Sequence, residues 1–194
     1  PLLAKWLTVL FWLVIPNIIS QVMTNENVLE LLPELYWPGT VLSILYMFAY
    51  GGVLYVLRGE SGRYRTAGTL LLISGVISVV MLLAFSANAF AVIVSLAASV
   101  IVFVAEYQEY MGHAEVLAGA DSYLADRWRG LWRWMIYAFA ASVGGALAAL
   151  LFVQAAFLAL LFLLVSVAGM IALLVLGILK LVYLWRTARV FREL

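Results

Sequence analysis

Asn88, Ser95, Ser99, Glu106 and His113 are spaced so that on one helix they fall along a single face, because the stretch from 88 to 106 makes about five turns. Glu109 stands four residues before His113, a separation that makes helix neighbours, so Glu106, Glu109 and His113 can converge with Tyr107 and Tyr110 beside them. Carboxylates next to an imidazole can pass protons or cations, hold a metal, or work as acid and base on a substrate. Metal binding needs three or four convergent ligands. The chain offers one histidine and no cysteine, so neither a metal nor a cofactor is expected. The plainer expectation for Glu106 is an interfacial carboxylate, solvated or paired with Arg58, Arg63 or Arg133.

A second polar stripe, Ser43, Tyr46 and Tyr50, follows the i, i+3, i+7 pattern and runs into Gly51 and Gly52. Such a face is expected to point inward. With Ser95, Ser99 and Glu106 it would line a path for a small solute. The simpler alternative has the hydroxyls bonding to neighbouring helices while the glycines permit close approach. A third set interleaves Trp128, Trp132 and Trp134 with Arg127, Arg129 and Arg133. Amphipathic rings and snorkelling cations suit the headgroup layer, so this set reads as a membrane anchor or, with Glu109 and His113, as a docking face for a partner.

The elements that must position these residues are membrane spans. The chain has 194 residues, 67% hydrophobic and 11% charged, with mean hydropathy +1.12. Soluble domains use about 25% charged residues, and no water-soluble fold hides so much apolar surface. Six segments are apolar for the about 20 residues that a helix needs to cross the hydrocarbon: roughly 4–22, 39–57, 66–86, 88–106, 132–152 and 156–179. Barrel strands would alternate apolar and polar residues, and the run from Ala155 to Leu179 does not. The expected fold is all-α, a single membrane domain of six spans.

Two pairs of spans read as tight hairpins, one turning at Ser86, Ala87 and Asn88 and the other near Gln154. Between the first two spans, Glu26, Glu30 and Glu34 recur every four residues beside Val28, Leu29, Leu32 and Leu35, which suggests a short interfacial helix over 24–38 weakened by Pro33. The connection 107–131 is expected to lie along the interface, with Asp121 capping a helix whose stripe is Leu124, Trp128, Leu131 and Met135. Small residues at 141, 145 and 149, with 140, 144 and 148 beside them, suggest that the fifth span is central or lies at a subunit interface.

All eleven Lys and Arg residues fall on one side of this arrangement: Lys5, then Arg58, Arg63 and Arg65, then Arg127, Arg129 and Arg133, then Lys180, Arg186, Arg189 and Arg192. Basic residues resist translocation, so both termini are expected in the cytoplasm and the protein in the cell membrane. A net charge of +1 without a basic cluster argues against nucleic acid as a partner. Membrane lipids, a partner protein or a second copy of the chain are the expected partners. No P-loop, HExxH or GxSxG pattern is present, and no catalytic residue is assigned. The first functional reading is a non-enzymatic scaffold or accessory subunit that docks through the segment from Tyr107 to Arg133. The alternatives are a transporter or channel for a neutral or weakly polar solute, and a lipid-modifying enzyme using Glu106, Glu109 and His113.

Overall fold

The computed structural model describes residues 2–84 and 89–193. The turn at Ser86, Ala87 and Asn88 lies outside the described residues, and with it the first member of the Asn88 stripe. The described chain is helical throughout, without a strand. Helix α1 (Leu2–Met23) is followed by the short α2 (Glu26–Leu31), then α3 (Tyr36–Val56), α4 (Gly62–Ala84), α5 (Ala89–Leu117), α6 (Ser122–Leu151) and α7 (Ala156–Glu193). Six of these, all but α2, are long and apolar enough to cross a membrane.

Local chemistry accounts for most of the ends. Asn25 caps α2 by accepting from the Asn27 backbone N–H, and Pro33 opens a 3-10 turn that carries the chain into α3. Leu31 and Leu32 are exposed here. Ser61, buried at the start of α4, accepts from the Arg63 N–H and donates to Glu115 at the end of α5. Asp121 accepts from the Leu124 N–H at 2.9 Å, so the predicted cap is in place. The second hairpin turns between Leu151 and Ala156, around Gln154.

The connection 107–131 departs from expectation. Helix α5 runs unbroken through Leu117, only 118–121 form a turn, and α6 runs straight from Ser122 into its membrane-length body. This stretch forms no helix separate from α5 and α6. The physical reason is visible on the stripe itself: Leu124, Trp128 and Leu131 are buried against other helices rather than presented to a headgroup layer. At 38 residues α7 is about 57 Å long, nearly twice the about 30 Å hydrocarbon thickness. The C-terminal end of α5 and the Arg-bearing ends of α6 and α7 therefore extend the helical bundle.

Each long helix packs against its neighbours in the chain, and α1 also packs against α7, which closes the six into a ring. Backbones come closest where side chains are absent. A Cβ on Gly169 of α7 would lie 2.5 Å from the Ser142 N atom of α6, and one on Gly145 would lie 2.7 Å from the Ser166 N atom. The Ser166 hydroxyl donates to the Ser142 carbonyl at 2.7 Å across the same seam. Gly144 faces open space, and Ala140 and Leu147 are exposed. The fifth span is thus small on two sides but packed tightly on one, and it is not central.

Gly169→Ala is expected to cost about 1–3 kcal/mol by overpacking. Gly144→Ala is expected to be neutral or to gain up to about 1 kcal/mol from helix propensity. Unfolding of both variants in mixed micelles checks the contrast, and equal effects would count against the α6–α7 seam.

Candidate functional site

Inside the ring, the Arg-bearing half is filled by a polar and aromatic plug. Glu109 on α5 is 2% exposed. Its carboxylate accepts from the Tyr50 hydroxyl of α3 at 2.6 Å and from the Lys180 ammonium of α7 at 3.1 Å. His113, one turn along α5, is fully buried, with Nε2 3.5 Å from the Glu109 carboxylate and making no hydrogen bond of good geometry. The other ring nitrogen, Nδ1, is 2.8 Å from the Tyr64 hydroxyl of α4. With the proton on Nε2, facing the carboxylate, Nδ1 accepts from Tyr64. Gly112 makes room for this contact, since a Cβ there would meet the Tyr64 ring at 2.9 Å.

Trp128 of α6 completes the plug. Its ring lies over His113 with centroids 4.5 Å apart, meets Tyr110 edge-on at 5.3 Å, and donates its N–H to the Thr187 hydroxyl of α7 at 3.0 Å. Trp132, one turn on, packs against Phe103, Tyr107 and Tyr110 of α5. A buried ion pair keeps its charges only with further hydrogen bonds and good geometry. Glu109 has both, and Lys180 also sits near the faces of the Tyr110 and Tyr50 rings, at 5.1 and 5.8 Å.

Beyond the plug an open cavity of about 840 Å³ lies between the helices. Its lining runs from Ala91 to Glu106 along α5, about 22 Å. Ser43 and Met47 of α3, Ser74 and Ser78 of α4, and Ser95, Ser99 and Phe103 of α5 form its walls, with Met135 and Phe139 of α6 and Leu173 of α7. Glu106 lines the end next to the plug, close enough to Lys180 and Glu109 to feel both charges. The hydroxyl of Ser74 is buried and has no hydrogen-bond partner.

The structure therefore sorts the sequence candidates into three groups. Ser43, Ser95, Ser99 and Glu106 share the cavity, as the solute-path alternative expects. Tyr46 and Tyr50 do not line it: Tyr50 is committed to Glu109, and Tyr46 packs on Tyr50 with centroids 5.1 Å apart. Glu109, His113, Trp128 and Trp132 are enclosed by protein, which corrects their reading as interfacial or docking residues. Of that set only Arg129 and Arg133 are exposed, Arg129 bonding Asp126 on its own helix. Glu106 pairs with none of Arg58, Arg63 and Arg133, since the Arg63 guanidinium goes to Glu115 and Gln108.

Lys180 is the member of this buried cluster that the spacing of motifs misses. It reads as the snorkelling end of the last span, yet its side chain is only 14% exposed. The available signal is its isolation: Gly177, Ile178 and Leu179 precede it and Leu181 and Val182 follow. An ionisable group set in an apolar run marks a functional position. Among the described residues no group of three or more His, Cys, Asp and Glu side chains converges as a metal site would require.

Fold and site together define a membrane-type α-helical bundle with six helices of spanning length and a mostly apolar cavity that carries a few polar side chains and lies next to a buried charge cluster. Compared with known proteins, the chain matches no family model, no curated protein and no solved structure.

Proposed function

We propose that this protein is a transporter that binds a small amphipathic solute between α3, α4 and α5. The cavity carries the proposal. Its volume of about 840 Å³ falls in the about 300–1,000 Å³ range of small-molecule sites, and its walls mix methionine and aromatic side chains with a few placed polar groups, as such sites do. A helix bundle built only as a scaffold gains nothing from leaving this space unpacked, because each lost contact costs dispersion energy. The plug supplies a closed end, as a carrier open to one side at a time requires. The distribution of all eleven basic residues supports a cytoplasmic location for the plugged end and for both termini.

Filling the cavity tests the proposal. Native mass spectrometry of the detergent-purified protein with 1-decanol as probe is expected to show one retained molecule on the wild type and none on Ser78→Trp. Equal retention by both proteins would place the probe elsewhere and remove the basis for a solute site.

A further inference from the structure

Resting on that reading of the cavity, we infer that the bound solute is an organic cation, its ammonium group held by Glu106. Four observations converge on this charge. Glu106 is the single charged residue lining the cavity, and it has no hydrogen-bond or ion-pair partner among the described residues. Lys180 is committed to Glu109 at 3.1 Å, which leaves Glu106 without a basic side chain of its own.

The hydroxyls point the same way. Thr40, Ser78 and Ser99 each donate their proton to the carbonyl four residues back on their own helix, at 2.7, 2.9 and 2.9 Å. A hydroxyl has one proton and two lone pairs, so these three offer the cavity acceptors only. Ser74 adds a buried hydroxyl with nothing bonded to it. Acceptor hydroxyls along the walls, with the Glu106 carboxyl at one end, suit a group with several N–H donors and a positive charge. Phe103 sits one turn before Glu106 on the same face, with Phe139 5.8 Å from it, and aromatic faces next to an anion also favour a cation. The lining is mostly apolar, and no cluster of acidic ligands is present among the described residues, so the cation is organic rather than a bare metal ion.

Three probes of matched length separate the charges: decylammonium, 1-decanol and decyl sulfate, each titrated onto the wild type and followed by native mass spectrometry. Decylammonium is expected to bind about tenfold more tightly than decanol, and decyl sulfate most weakly. In Glu106→Gln the ammonium and alcohol values should converge, while Glu106→Asp should keep the order. If ammonium and alcohol bind the wild type alike, or the sulfate binds best, the cation inference is overturned, although a decanol site lost in Ser78→Trp would leave the cavity reading standing. If none of the three is displaced by Ser78→Trp, both fail. The wild-type ranking decides the matter even if Glu106→Gln does not fold.

Discussion

Lys180→Met is expected to lower stability by about 3–5 kcal/mol, because it leaves the Glu109 carboxylate buried without its counter-ion. Methionine matches the lysine stem in shape, so little packing is lost and the effect isolates the charge. Tyr50 would still donate to Glu109, yet one neutral hydrogen bond does not offset the desolvation of a carboxylate that is 2% exposed. Adding Glu109→Gln to the same chain removes the stranded charge, and the double variant should recover much of the loss. Reversible unfolding in mixed micelles measures all three variants. A Lys180→Met protein as stable as wild type would show that the pair contributes nothing, and additive losses in the double variant would show that the two residues act separately.

Trp128→Ala should have an effect of similar size, about 3–5 kcal/mol. The ring is fully buried where α5, α6 and α7 meet, touching His113, Tyr110 and Tyr183 and bonding Thr187. Truncation opens a void that the three helices cannot close without bending, and it leaves the Thr187 hydroxyl without its donor. Trp134 is an internal control on the same helix. It is 64% exposed, so Trp134→Ala should stay within about 0.5 kcal/mol of wild type. If the two variants unfolded alike, Trp128 would belong to the surface, as the anchoring interpretation of the Trp and Arg set requires.

That set shows where sequence is ambiguous and why. Tryptophan is amphipathic, and alone it reads equally well as an interface anchor or as core. What decides is its company: Trp128 and Trp132 share a face with Leu124 and Leu131, whereas Arg129 and Arg133 lie about 100° around the helix. The face was legible and its partner was not. The six helices are legible because apolar length is a property of each segment by itself. Glu109 and His113 are legible as a pair because four residues on one helix must meet. Lys180 stands 71 residues from Glu109, and only the tertiary packing of α7 with its neighbours brings the two together. The cavity is likewise a property of the ring, though the serines that line it stand out in the sequence as polar positions within apolar spans.

The presence of a solvent-accessible cavity is the central claim, and the absence of native cysteine allows a direct measurement. Cysteine placed at Ser43 or Ser99 should react with ethylammonium methanethiosulfonate about tenfold faster than cysteine at Leu96 or Val100, because a thiol ionises in water and not in lipid. Leu96 and Val100 are exposed, as Ser99 is, but do not line the cavity. In lipid nanodiscs, fast labelling at 43 and 99 with slow labelling at 96 and 100 is the predicted result. Equally slow labelling at all four positions would mean that lipid or packed side chains occupy the space, and the cavity could then hold no solute.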